Sequence, residues 1–195
     1  NANKYFAKYN KLKRTYEAGT RLIAEIKDEI MYLESIINAI DIATTENDLN
    51  NIKDELAVTG YIKRSGKSKS KGNTHNKPMH YVSSDGFDIY VGKNNIQNDE
   101  LTFKFATGGD WWFHAKQMPG SHVIVKTEGK ELPDKTFEEA AALAAYYSKG
   151  RDLEKVEVDY VLKKEVKKPA GAKPGFVVYY TNYSLIAIAD ISGIR

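Results

Sequence analysis

A heptad pattern of apolar residues at the start of the chain constrains the fold more than any other feature. Apolar or small residues recur from Tyr5 to Ile40 in alternating steps of four and three, the spacing that keeps one stripe of a helix facing a partner helix. A helix from about Asn3 to Ala43 would be roughly 60 Å long, which is too long to be covered by one small domain. The predicted coiled-coil seam consists of Tyr9, Leu12, Tyr16, Ile23, Ile26, Ile30, Leu33 and Ile37.

A short second helix follows, and it can cover only the last turns of the long one. Thr45 suits the N-cap position, and Glu46 and Asp48 place negative charge in the first turn, where the helix dipole favours it. Gly60 is a suitable stop. The seam is therefore expected to pair with a second copy of the chain, with a helix outside this sequence, or with another protein. Because exposed isoleucines are costly in water, we predict a homodimer through the long helix.

The positive charge of the chain is concentrated in two places, although the net charge of the 195 residues is only +3. Sign-segregated basic clusters are typical of a polyanion partner, and solvated loops have the same composition. No run approaches the roughly 18 apolar residues of a membrane span, so no membrane insertion is expected. Cysteine is absent, which excludes disulfides, thiolate metal sites and cysteine nucleophiles. The first cluster contains Lys63, Arg64, Lys67, Lys69, Lys71 and Lys77, and the second contains Lys163, Lys164, Lys167, Lys168 and Lys173.

Changes of periodicity divide the chain into three parts: a helical region 1–60, a basic flexible linker or loop 61–80, and a domain 81–195. In the third part the period becomes two, and short apolar runs are separated by turn residues. One helix interrupts them, for which Thr136 and Glu139 suggest a capping box. This pattern predicts an α+β fold built on a mostly antiparallel sheet with one inserted helix. The predicted strands are 87–91, 101–105, 111–115, 122–126, 156–162, 175–180 and 185–189.

Residues 110–125 hold the two tryptophans and two of the four histidines, so they are the first place to look for chemistry. His114 and His122 flank a Pro-Gly turn and are expected to lie near each other on adjacent strands. A zinc site would need a third ligand, and the nearby carboxylates have no metal-site spacing. A triad of Ser121, His122 and Asp110 lacks a nucleophile elbow, and Ser121 should point away from its neighbour. We therefore predict no enzyme activity, no metal and no cofactor.

A binding surface fits the same residues better. Aromatic rings beside lysines on a sheet are suited to stacking against unpaired bases. Trp111, Trp112, His114 and Lys116 are the candidates, supported by the second lysine cluster. Alternation along the strand predicts that Trp111 and Phe113 share one face and that Trp112 and His114 share the other. At least one pair should be structural, and we predict that Trp112 and His114 are the exposed pair.

Several motifs occur in a fixed order along the chain: 91–95, 98–101, 110–116, 119–124 and 166–175. Together they resemble the NFACT-R domain of the RqcH/NEMF family. Residues 1–6 and 8–13 resemble the start of the second coiled-coil helix of that family, and residues 60–63 resemble its close. The resemblance covers nearly the whole chain.

The resemblance implies a module that binds the RNA of the large ribosomal subunit and, in full-length proteins, recruits tRNA to add C-terminal alanine tails. The same family is also described as surface adhesins for fibronectin or fibrinogen. A cytoplasmic location follows from the first role, and the cell surface, reached without a signal peptide, from the second. The resemblance and the charge pattern together give as RNA-binding candidates Lys93, Asp110, Trp112, His114, Lys116, Ser121, His122, Lys163, Lys164, Lys167, Lys168 and Lys173.

Overall fold

The computed structural model of the chain describes residues 1–63 and 77–195 and divides into two units, residues 1–34 and residues 35–195. Most of the basic run predicted as a linker lies outside the described residues. Apart from Asn1, the first unit belongs to helix α1, Ala2–Ile42, which is close to the predicted bounds. No helix in the described part of the chain combines the length and the apolar character that crossing a membrane requires. All eight predicted seam residues are exposed in the single chain, from 38% for Leu33 to 76% for Tyr16.

Helix α2, Glu46–Val58, begins where the sequence predicts. The Thr45 hydroxyl accepts a hydrogen bond from the backbone N–H of Asp48 (3.2 Å), and the Asp48 carboxylate accepts one from the backbone N–H of Thr45 (3.1 Å). This reciprocal pair is a capping box, which satisfies two backbone donors that the first turn leaves free. The Asp48 carboxylate has a further partner, the Lys93 ammonium, at 3.3 Å.

The rest of the second unit is built on a six-stranded antiparallel sheet with the strand order β1-β2-β4-β3-β5-β6. The predicted α+β class, with a long helix, a short helix and an inserted helix in an antiparallel domain, is confirmed. The inserted helix is α4, Asp134–Tyr146. The strands are β1 Met79–Val82, β2 Asp88–Val91, β3 Trp111–Ala115, β4 Val123–Val125, β5 Val156–Leu162 and β6 Tyr183–Ala187.

Two of the predicted strands are wrong. Residues 101–105 form a π-helical turn that continues helix α3, Asn95–Glu100, whose N-cap Asn94 accepts from the backbone N–H of Gln97 at 2.9 Å. Their alternating sequence imitates a strand, but the capped helix before them sets the backbone conformation. Residues 175–180 contribute an isolated bridge between Val178 and Lys167 rather than a ladder.

The predicted capping box of α4 is also wrong, because the helix begins three residues earlier than predicted, with Pro133 rather than Thr136 at the N-cap position. Thr136 instead donates to the Asp85 carboxylate at 2.8 Å, and Glu139 accepts from the backbone N–H of Ser84 at 2.9 Å. Both polar side chains therefore fasten the helix to the β1–β2 turn. The Thr and Glu that resemble a capping box in the sequence therefore form tertiary contacts between α4 and the β1–β2 turn.

Both faces of the sheet are covered. Helix α4 covers one face with small side chains, so Phe113 and its neighbours Val123 and Val158 are fully buried there. The opposite face holds Trp112, Ile124 and Val161, and it is covered by the π-helical turn and by residues 166–179. The candidate site residues lie on or beside this second face.

Candidate nucleic-acid interface

Asp110 is a buried anchor at the start of β3. Its carboxylate accepts hydrogen bonds from the backbone N–H groups of Thr107 (2.7 Å) and Thr127 (3.2 Å), and it forms an ion pair with the Lys126 ammonium. Burial opposes ionisation of the carboxyl, but the hydrogen bonds from Lys126 and the backbone outweigh it and lower the pKa of Asp110. With 1% of its surface exposed, Asp110 positions the loop before β3 and does not offer a contact to RNA.

Trp112 is not the exposed partner that the sequence predicts, because no part of it is exposed. The predicted division of faces is correct: Trp111 and Phe113 lie on the α4 side, and Trp112 lies on the other. The prediction fails because the second face is itself covered. Tyr179 lies 5.2 Å from the Trp112 ring between centroids, and residues 166–179 close over the indole.

His114 and His122 meet as predicted, with their ring centroids 5.5 Å apart at nearly a right angle. His114 is half-buried and stacks on Trp112, whereas His122 is 1% exposed and its Nδ1 lies 2.8 Å from the Thr102 hydroxyl. Burial lowers the pKa of His114 to about 4, and burial together with neighbouring His114 lowers the pKa of His122 well below its usual value. Both rings are therefore neutral near pH 7 and carry no charge for a phosphate.

Neither form of chemistry considered for these residues is assembled. Ser121 is 1% exposed, and the Asp110 carboxylate is bound to Lys126 rather than to His122. Among residues 1–63 and 77–195, no group of three or more histidine or acidic side chains is arranged to hold a metal ion.

Four of the predicted lysines have partners within the fold. Lys168 forms an ion pair with Asp99 at 2.7 Å, and Lys173 donates to the Tyr61 hydroxyl at 2.7 Å. Lys93 pairs with Asp48, and Lys116 pairs with Glu157, which raises the pKa of Lys116. The ion pairs partly compensate the charges of Lys93, Lys116 and Lys168, and the hydrogen bond to Tyr61 holds the Lys173 ammonium in place.

Lys163, Lys164 and Lys167 differ from those four. Lys163–Glu165 form a 3-10 turn directly after β5, and Lys167 follows at the bridge to Val178. Within the described ranges none of the three forms a salt bridge. Lys164 and Lys167 are exposed, and Lys163 is half-buried with its ammonium 5.8 Å from the centre of the Phe103 ring. We name Lys163, Lys164 and Lys167 the lysine turn.

Lys126 and Lys130 lie near the lysine turn, but the sequence pattern does not predict them as binding residues. They line a cavity of about 550 Å³ next to Asp110, and the backbone N–H of Lys163 donates to the Asp110 carbonyl at 2.8 Å. Trp111 pairs with Val125 on one side and Leu162 on the other, and this register alone brings the ends of β4 and β5 together. The spacing of these residues along the sequence does not predict that the two strand ends meet.

The fold and the lysine turn define a candidate nucleic-acid-binding module of the α+β class. Residues 77–181 match the family model described as the NFACT protein RNA binding domain, and residues 1–75 match the model of the NFACT N-terminal and middle domains. The chain belongs to the NFACT family, which confirms the resemblance read from its motifs.

Relatives of known name support this assignment. The chain is 47% identical over 180 residues to the Rqc2 homolog RqcH of Streptococcus suis, covering 92% of this chain and 32% of the relative. It is 38% identical over 192 residues to the Rqc2 homolog RqcH of Bacillus subtilis, covering 97% and 33%. The chain thus spans about a third of the length of these curated relatives.

A solved structure has the same fold. It is the C-terminal part of the fibronectin/fibrinogen-binding protein from Streptococcus suis, with a TM-score of 0.88 and 44% sequence identity. The match covers 99% of this chain and 76% of that one.

Proposed function

We propose that the chain is the RNA-contacting module of a ribosome-associated quality-control factor. The observation that carries this proposal is the lysine turn: three cations within five residues, fixed at the end of a central strand and without salt bridges in the described part of the chain. Cations that form no internal salt bridge can bind phosphates without first breaking one, and the single carboxylate of this turn, Glu165, leaves its net charge positive. The family match and the relatives named Rqc2 homolog RqcH support the same role.

The finer parts of this role are also proposals. The partners would be the RNA of the large ribosomal subunit and a tRNA, and the site of action would be the cytoplasm. The lysine turn would hold phosphates, while Asp110, Trp112, Ser121 and His122 would keep the surface in shape, since all four are buried. No catalytic group or cofactor is needed for this role.

The proposal predicts that Lys164→Gln/Lys167→Gln weakens binding to large ribosomal subunits and to a single-stranded RNA. Loss of two phosphate contacts should reduce affinity about tenfold near physiological salt and make the salt slope less steep by about 1.4. Co-sedimentation with purified subunits and fluorescence anisotropy over a salt series measure the two quantities.

The matched control is Lys135→Gln/Lys155→Gln, which removes the same charge. Lys135 lies at the start of α4, on the other face of the sheet, and exposed Lys155 precedes the opposite end of β5. This control should bind RNA like the parent chain. Equal losses in both double variants, or none in either, would contradict a phosphate site at the lysine turn.

The adhesin role is the alternative, and its support is the name of the Streptococcus suis structure. Under that alternative, immobilised fibronectin should retain the chain at physiological salt and should not retain an unrelated protein of equal charge. Retention of both proteins would indicate general attraction to a basic surface.

We also propose that the exposed stripe of α1 pairs with a second helix, and that the isolated chain uses a second copy. Ile23 and Ile30 are each more than half exposed in the single chain, and pairing would remove both from water. The parent chain should be a dimer at micromolar concentration in light scattering, and Ile23→Gln/Ile30→Gln should be a monomer. A parent chain that is already monomeric would exclude self-association.

A further inference from the structure

A row of aromatic rings lies beside the π-helical turn, outside the residues that the sequence singled out. The ring centroids of His80 and Tyr90 are 4.7 Å apart in a stacked arrangement, and those of Tyr90 and Phe105 are 4.7 Å apart edge to face. The Lys126 ammonium lies 5.2 Å from the centre of the Phe105 ring. We call His80, Tyr90 and Phe105 the aromatic row.

Phe105 is the most accessible apolar ring of this row, with 45% of its surface exposed. It is the last residue of the π-helical turn, whose i to i+5 hydrogen bond runs from the backbone N–H of Ala106 to the Leu101 carbonyl at 2.9 Å. Leu101 and Thr102 of the same turn are buried, whereas Lys104 and Phe105 point outward. A π-helical turn is uncommon and is often found at functional sites. Here it holds an aromatic ring in solvent on a fixed backbone.

Positive charge lies at one end of the row. Lys126, over the Phe105 ring, pairs with Asp110, and the Asp110 carbonyl accepts from the backbone N–H of Lys163. The lysine turn is thus connected to Phe105 through two residues, the buried Asp110 and the partly exposed Lys126. The other end of the row is acidic, because Asp88 lies 2.6 Å from His80 Nε2. This arrangement fixes the orientation of a ligand that has an aromatic ring and a negative group. Its ring would lie on the aromatic row, and its negative group would point toward Lys163 and away from Asp88.

We propose that Phe105 stacks against an unpaired base of single-stranded RNA while the adjoining phosphate binds at the lysine turn. An exposed ring beside cations has the two components that single-strand binding uses, a stacking platform and a phosphate contact. The proposal rests on the proposed RNA-binding function and adds the kind of RNA that is bound. It also moves the stacking role from Trp112, which is buried, to a ring that solvent reaches.

The proposal predicts that Phe105→Ala weakens binding to a short single-stranded RNA by about 5- to 100-fold, the range expected for one lost base stack. Binding to an RNA duplex of the same sequence should change little, because its bases are already stacked on one another. The salt slope should stay at the parent value, since no phosphate contact is lost. Phe105→Trp should restore the affinity. Fluorescence anisotropy with end-labelled RNA measures all four.

Two control variants distinguish loss of base stacking from a general effect of removing a side chain. Tyr146→Ala removes a partly exposed ring at the end of α4, on the other face of the sheet, and should leave RNA binding unchanged. Phe105→Leu keeps an apolar side chain, so a loss shared by both Phe105 truncations in a folded protein reports the ring itself. Circular dichroism verifies the fold.

The outcomes separate the two proposals. If Phe105→Ala binds single strands as the parent does while Lys164→Gln/Lys167→Gln loses affinity, the stacking site is wrong and the RNA-binding role stands. If the parent chain binds neither subunits nor RNA in a salt-dependent way, the RNA-binding role is wrong, and the stacking site fails with it. An equal loss on single strands and duplexes would also overturn the stacking site.

Discussion

Replacing Trp112 by alanine should lower the free energy of unfolding of the sheet domain by about 3–5 kcal/mol. The side chain is completely buried and lies in a cluster with Leu101, Ile124 and Val166. Its ring also contacts His122 at 5.1 Å and Tyr179 at 5.2 Å between centroids. Removing it would leave a cavity between the sheet and two separate covering segments, neither of which can easily collapse into the space. Urea unfolding followed by circular dichroism measures the change.

Trp112→Phe keeps this prediction testable if the alanine variant does not fold. Phenylalanine retains most of the apolar contact and removes the indole N–H, which finds no hydrogen-bond acceptor among the described residues. It should cost about 1–2 kcal/mol. Tyr180→Ala, at a ring that is 85% exposed, is the surface control and should change stability by less than about 0.5 kcal/mol.

The result separates two roles for the same residue. If Trp112→Ala has the same urea midpoint as the parent chain and loses only RNA binding, Trp112 is an RNA-contacting residue and not part of the core. If stability falls as expected, the aromatic residues of this motif belong to the core.

Local patterns in the sequence were enough to predict helices α1 and α2 and the division of faces. The steps of four and three carry the periodicity of α1, and the capping box at Thr45 is complete within four residues. Alternation assigned Trp111 and Trp112 to opposite faces because the side-chain period of a strand is fixed by its backbone. Each of these features depends on neighbours in sequence, so the sequence alone can predict it.

Which residues are exposed could not be predicted in the same way. The second face of the sheet is covered by the π-helical turn and by residues 166–179. The sequence pattern predicts strands at 101–105 and 175–180, which include the turn and the end of the second covering segment. A strand would have left Trp112 on an open surface. The alternating residues of 101–105 fit a strand pattern, but they continue the capped helix α3, and Leu101 packs in one cluster with Trp112.

The sequence also does not predict which lysines are engaged in salt bridges. Lys168 and Lys167 are neighbours in sequence, yet Lys168 pairs with Asp99, 69 residues away, and Lys167 forms no salt bridge with a described residue. Lys93 likewise finds its partner in Asp48, at the start of α2. A cluster of basic residues predicts the sign of a surface, whereas the fold determines which of its charges are available to a partner.

The free energy of unfolding should fall as the pH is lowered from about 7.5 to about 4.5, by about 2–3 kcal/mol through His114 and by a further contribution of the same sign through His122. Burial lowers the pKa of His114 to about 4 and lowers the pKa of His122 well below its usual value, whereas both rings titrate near 6.5 in the unfolded chain. Below pH 6.5 the unfolded state therefore binds protons that the native state does not bind. Stability is fully present above pH 6.5 and is lost toward pH 4, by up to about 1.4 kcal/mol per pH unit for each histidine.

His122→Asn should make this pH dependence shallower, since one of the two titrating rings is gone. Thr102→Val is the matched control: it removes the hydroxyl that meets His122 Nδ1 but keeps both histidines, so it should lower stability while the slope with pH remains. Working above about pH 4.5 avoids titrating Asp48 and Asp110, whose pKa values are lowered below 3.8 and which lose their contribution only in stronger acid. Urea midpoints across this range measure the slope. A parent-like slope in His122→Asn would show that His122 has no part in acid unfolding.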